Sequence, residues 1–113
     1  MPSRVNILYW KEIPIQIKAE NDETTVSIQL DSRFQEAADA VAMMDGSYGS
    51  DAYLDAWEWG NEIESYLDPQ PAAQQVADRI NQGMPRDFVA RIRDLRDAGE
   101  RVEKPGAIDD WVK

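Results

Sequence analysis

Histidine and cysteine are both absent from the 113 residues of this chain, and lysine plus arginine number 12 against 22 aspartates and glutamates. The first two absences remove the imidazole base and the thiol nucleophile, so neither a Ser–His nor a Cys–His catalytic pair can be assembled. They also remove the residues on which zinc and iron–sulfur ligation depend, and no metal or other cofactor is expected. Without cysteine there is no disulfide framework, which fits a reducing compartment. The shortage of cations gives a net charge of -10 and a pI near 4.3. That is the wrong sign for neutralising phosphates or gripping anionic lipid, so neither nucleic acid nor membrane is expected as a partner. Long apolar runs are missing as well. The first ten residues are interrupted at Arg4 and Asn6 and followed by Lys11, leaving no signal-peptide core and no membrane span. The expected location is the cytoplasm.

What is present is 42% apolar content in regular patterns on a length typical of one domain. Val5, Ile7 and Tyr9 alternate with Asn6, Leu8 and Trp10, and Ile13, Ile15 and Ile17 alternate with Pro14, Gln16 and Lys18. A period of two predicts strands with one buried face. Pro14 lacks a ladder donor, which predicts an edge position or a bulge near residues 12–14. Residues 24–30 alternate again after a polar turn at 20–23, and should form a hairpin with residues 13–19.

At Asp31 the period changes to that of a helix. Phe34, Ala37, Ala38, Val41 and Met44 share one stripe, Ser32 and Gln35 have the spacing of a capping box, and Gly46 is a natural stop. A second clear helix has Asp68 as N-cap, Pro69 at its first position, Ala72, Ala73, Val76, Ala77 and Ile80 on one face, and Gly83 at its end. Pro85 opens a third, with Phe88, Ile92 and Leu95 as its stripe and Gly99 as its stop. Between them, residues 51–57 read as a short helix leading into an extended segment that reaches Leu67, although Tyr53, Asp55, Trp57 and Trp59 also fit one face of a strand. The expected architecture is α+β: a small antiparallel sheet of about three strands with three to four helices packed on one face. Residues 1–99 form the domain and 100–113 a tail, in which Trp111 is expected to be tied down on the core. Phe34, Val41, Val76, Ile80, Phe88, Ile92 and Leu95 should be buried together against Val26 and Ile28.

No reaction can be read from the motifs. Asp51, Asp55, Glu58, Glu62 and Glu64 are close in sequence, but the plainer reading is a solvated acidic face. The loop starting at Asp45 fails as an EF-hand, because Ser50 and Ala56 stand where that motif needs Gly and Glu. Its glycines at 46 and 49 lack the lysine of a P-loop and are explained by a helix stop and a turn. Charge is unevenly distributed. Residues 45–78 hold eight carboxylates and no Lys or Arg, whereas residues 86–104 hold six basic and five acidic groups. Arg91 lies near the edge of its helix's apolar stripe and is placed either to pair with the acidic middle or to clamp a partner's anion.

The segment Tyr9-Trp10-Lys11-Glu12-Ile13-Pro14, followed by Gln29-Leu30, Arg33-Phe34-Gln35-Glu36-Ala37, Asp51-Ala52-Tyr53-Leu54 and Trp57, resembles the small bacterial virulence factor domain family. The likeness covers residues 5–60 well and the later helices more loosely. It implies either a short stand-alone form or the domain found at the C-terminus of conserved virulence factor C-like proteins, beside a NifU-like segment and helical repeats. Such company implies an accessory or docking role, with iron–sulfur or cofactor-linked metabolism reached only through a partner. The acidic middle and Glu58-Trp59 depart from the more basic stretch that the resemblance leads one to expect.

The preferred expectation is therefore a non-catalytic interaction module that binds a protein partner. Its expected contact residues are Tyr48, Tyr53 and Trp57 in the loop and short helix, with Arg91 as an electrostatic neighbour, since aromatic residues with polar tips are enriched at interfaces. The alternative is a small-molecule-binding or weakly catalytic protein with an aromatic pocket and Asp51, Asp55 and Arg91 as its polar groups.

Overall fold

The computed structural model describes residues 2–113. The alternating segments become three antiparallel strands, β1 (Ser3–Trp10), β2 (Ile13–Glu20) and β3 (Thr25–Gln29), followed by α1 (Ser32–Asp45) and the short α2 (Asp51–Asp55). Two three-residue strands, β4 (Trp57–Trp59) and β5 (Ile63–Ser65), precede α3 (Pro69–Gly83) and α4 (Phe88–Asp97), and a 3₁₀ turn at Asp109–Trp111 lies near the end. The class is α+β as expected, with five strands among the described residues instead of about three. The extra pair comes from the extended segment after α2. β4 and β5 both line the outer side of β1, giving the order β3-β2-β1-β4 with β5 also on β1.

Register explains why two short strands replace one longer one. Trp57 lies opposite Trp10 and Trp59 opposite Leu8, whereas Ile63 lies opposite Val5 and Ser65 opposite Ser3. Gly60 N still bonds Ile7 O at 2.8 Å, so Asn61 and Glu62 together face the single residue Asn6. This is a β-bulge, and the Asn6 amide turns across to Gly60 O at 3.3 Å. A second irregularity sits where Pro14 predicted one: pairing shifts between Leu8 and Tyr9, and Ile15 is left without an opposite number on β1. β3 begins its pairing with β2 only at Gln16, so Pro14 interrupts no bond to it.

Val5, Ile7 and Tyr9 of β1 and Ile17 and Ala19 of β2 form the buried sheet face, while Arg4, Ser27 and Gln29 point to solvent. α3 packs on β1, β2 and β3, its buried face made of Ala72, Ala73, Ala77 and Ile80. Small residues there let the helix lie close to the sheet. α1 packs on β2 and α4 through Phe34, Ala37, Ala38, Val41 and Ala42. Phe34 is fully buried 5.4 Å from the ring of Phe88, and burying one such side chain contributes about 1.5–3 kcal/mol.

Of the predicted core, Phe34, Val41, Ile80, Phe88 and Ile92 are buried, and Val76, Val26 and Ile28 pack half-buried against them. Leu95 is only half-buried and lies outside this cluster. α4 packs mainly on α1, so one turn of its stripe reaches the core and the next does not. The capping box does not form either: Asp31 is the N-cap of α1, and Gln35 Nε2 donates instead to Asp39 at 3.3 Å. Gly46 ends α1 in the left-handed region at φ 83°. The tail is anchored, as expected for Trp111. Ile108 is buried, Trp111 and Val112 pack on the core, and Lys113 N bonds Gly83 O at 3.1 Å.

Candidate functional site

The loop after α1 is held by its own polar residues. Asp45 Oδ1 accepts from Ser47 N at 3.0 Å and Ser47 Oγ at 2.6 Å, and Ser50 Oγ donates to Ser47 O at 2.6 Å. That brings α2 across the end of β1, where Trp10 Nε1 donates to Tyr53 O at 3.0 Å. Tyr53 is the hub of an aromatic group: its ring lies 5.6 Å from Trp10, 5.9 Å edge-on from Tyr48 and 6.3 Å edge-on from Trp57. Edge-to-face contacts of this kind are each worth about 0.5–1.5 kcal/mol beyond burial. The Tyr53 hydroxyl donates to Asp39 Oδ1 at 2.9 Å, and burial, reinforced by that carboxylate, raises its pKa.

Three of the four expected contact residues, Tyr48, Tyr53 and Trp57, are thus brought together. Tyr48 is 58% exposed at the outside of the group, and Leu54, which follows Tyr53 on α2, is 66% exposed. Arg91 is placed elsewhere. Its Nε lies 3.1 Å from Oδ1 of Asp87, the residue that caps the start of α4, and its guanidinium sits 5.6 Å from the Trp111 ring centre. Asp51 and Asp55 are exposed on α2.

A second cluster, unforeseen in the sequence, gathers where the β1–β2 turn, the end of α1 and the C-terminal segment meet. Arg101 grips Glu12 through Nε to Oε2 at 2.7 Å and Nη2 to Oε1 at 2.8 Å, while its Nη1 reaches Asp45 Oδ2 at 3.1 Å. Lys11 Nζ donates to the same Asp45 oxygen at 2.7 Å and to Glu103 Oε1 at 2.9 Å. The side chains of Glu12 and Arg101 are 1% and 6% exposed. Burial alone would raise the Asp45 carboxyl, but the donors Lys11, Ser47 and Arg101 outweigh it and hold the group down to about 2. Burial likewise opposes the charged forms of Lys11 and Arg101, and their carboxylate partners reverse the shift, so both are raised.

This cluster also supports a strained turn. Trp10 and Ile13 are joined by Lys11 and Glu12 alone, and Lys11 adopts φ 51°, a conformation that costs a non-glycine residue about 1 kcal/mol. Lys11 N donating to Ala56 O at 3.1 Å holds it in place. Little along the chain signals this cluster: Arg101 lies in a stretch without periodicity. The one available signal was a charged pair, Lys11-Glu12, set between Trp10 and Ile13 in an otherwise apolar run.

One further contact locks the C-terminal segment to the sheet, and another ties α1 to the end of α3. The Tyr9 hydroxyl donates to Asp109 Oδ2 at 2.7 Å, and burial followed by that carboxylate pushes its pKa up. Arg33 Nη2 donates to Asn81 O at 2.8 Å and Met84 O at 3.2 Å while its guanidinium lies over Phe34 at 4.6 Å. Its Nη1 is the one buried side-chain polar atom among the described residues without a hydrogen-bond partner. The adjacent ring faces give it a cation–π environment instead.

Among the described residues no group of acidic side chains is arranged to hold a metal ion, and no helix is long and apolar enough to cross a membrane. No curated protein and no solved structure matches the chain. A family model described as Virulence factor matches residues 8–92, a span running from β1 into α4 that includes Glu12, Asp45 and the whole aromatic group. The chain therefore belongs to the virulence factor domain family.

Proposed function

We propose that this domain is an interaction module that binds a protein partner through the aromatic surface on α2 and the loop before it. The supporting observation is the exposure of Tyr48 and Leu54 beside the ring group of Tyr48, Tyr53 and Trp57. Rigid aromatic side chains with polar tips, mounted on a packed base, supply contact area at low entropic cost. Tyr53 and Trp57 form the base and Tyr48 the contact; Arg91, paired with Asp87, is a separate electrostatic contact. Affinity purification at native expression with quantitative mass spectrometry tests the reading. A partner should be enriched by the wild-type chain and lost with the double variant Tyr48→Ala/Leu54→Ala, whose circular dichroism should be unchanged because both side chains are exposed. Equal capture by both proteins, or no enriched partner, overturns it.

A further inference from the structure

We propose that the outer edge of the β4–β5 strand receives an extended basic segment of a partner protein, which joins the sheet as a further strand. This rests on the reading of the chain as a protein-binding module and adds a binding mode and a partner chemistry. Among the described residues, β4 and β5 pair with β1 and with no other strand. The ladder fixes the direction of their backbone groups. Lys11 N bonds Ala56 O and Gly60 N bonds Ile7 O, so residues 56, 58 and 60 face β1. Alternation then turns the N–H and C=O of Trp57 and Trp59 outward. Beyond the bulge, Ile63 and Ser65 lie opposite Val5 and Ser3, on the same alternation of β1 as Ile7, which leaves Glu64 facing outward.

A groove lies beside part of this edge. It has a volume of about 450 Å³ and runs between residues 58–61 and 103–105, and no backbone hydrogen bond between described residues crosses it. Exposed sheet edges are commonly guarded by lysine or proline; residues 57–65 contain neither, and Lys104 and Pro105 stand on the far wall of the groove. The edge itself carries apolar surface, with Trp59 and Ile63 exposed on the strand and Tyr66 and Leu67 just beyond it.

Charge selects the occupant. The strand contributes Glu58, Glu62 and Glu64 and no cation. Of the nearby cations, Arg4 lies 3.8 Å from Glu62 and 3.9 Å from Asp22, Lys18 sits 4.6 Å from the Trp59 ring centre, and Lys104 lines the groove together with Glu58 and Glu103. Lysine or arginine on an added strand would meet Glu58 on one face of the sheet or Glu64 on the other. A second copy of the same strand would set glutamate against glutamate, which is destabilising.

The test uses the full chain, isotope-labelled, with a synthetic peptide of alternating lysine and valine and a matched peptide of alternating glutamate and valine. The lysine peptide should bind and slow hydrogen exchange at the amides of Trp57, Trp59 and Glu64 about tenfold or more at saturation. Its affinity should fall about tenfold between low and physiological salt. Trp59→Pro removes an outward donor while sparing the bonds to β1, and should abolish binding; Trp59→Ala keeps the donor and should weaken it less. If Trp59→Pro fails to fold, the exchange map of the wild-type chain decides. Equal binding of the glutamate peptide, protection at residues 25–29 or on the helices, or no binding of either peptide would overturn the proposal. So would self-association, seen by sedimentation, that protects the same amides without peptide. Peptide failure with Tyr48-dependent partner capture intact overturns the edge alone; loss of capture with peptide binding intact overturns the aromatic surface alone.

Discussion

Arg101 and Glu12 are 89 residues apart in sequence and form a two-pronged ion pair at 2.7 and 2.8 Å in which both side chains are almost fully buried. The pair ties the C-terminal segment to the first hairpin turn, and Asp45 and Lys11 close the network around it. Its worth depends on both partners being present, because a buried charge without its counter-ion keeps the whole desolvation penalty.

Arg101→Met should therefore destabilise the fold by about 3–5 kcal/mol in urea denaturation, since Glu12 is left buried and uncompensated. Adding Glu12→Leu should recover most of that loss. Arg101→Lys should not rescue the wild-type value, because an ammonium cannot make the paired Nε and Nη2 contacts.

Acid unfolding should report Asp45. Its folded value of about 2 lies below the ordinary 3.8, so its contribution is present above about pH 4 and is lost as pH falls towards 2. Stability followed by denaturant midpoint across this window should fall more steeply in the wild-type chain than in Asp45→Asn. Identical slopes would show that Asp45 is not held down by Lys11, Ser47 and Arg101.

At Gly60, a β-carbon would lie 2.6 Å from Tyr9 Cε2 and 3.3 Å from Cδ2. The Tyr9 ring cannot retreat freely, being 3% exposed and bonded to Asp109. Gly60→Ala should cost about 1–3 kcal/mol by thermal or urea unfolding. In combination with Tyr9→Leu the two costs should fall short of additive, because the clash disappears with the ring.

Core substitutions should separate two positions of one helical stripe. Ile92→Ala should cost about 2–5 kcal/mol, whereas Leu95→Ala, at a half-buried site outside the core cluster, should cost under about 1 kcal/mol. Similar losses at both would place α4 in a different rotation against α1.

The acidic surface should respond to salt. Asp51, Asp55, Glu58 and Glu64 form no ion pair among the described residues, and the chain carries a net charge of -10. Raising NaCl from about 10 to about 300 mM should increase the melting temperature by screening their repulsion. A fall would mean that favourable pairs such as Arg4 with Glu62 dominate the surface.

What the sequence determined by itself was local and periodic. Alternation placed β1, β2 and β3, the stripes of Phe34 to Val41 and Ala72 to Ile80 placed α1 and α3, and Pro14 marked an irregularity in β2. Each of these is written in neighbouring residues, because a half-buried strand or helix must repeat its apolar positions at its own period. β4 and β5 lie in the segment that reads as extended as far as Leu67, but three residues are too few to show a period, so the sequence did not divide it into two strands. The aromatic candidates Tyr48, Tyr53 and Trp57 were legible as a dense local group, and the short helix made them neighbours. Only the tertiary structure decided where Arg91 and Arg101 would go. An ion pair needs proximity in space and leaves no pattern along the chain, so the closure of the fold set Arg91 beside Asp87 and carried Arg101 to Glu12.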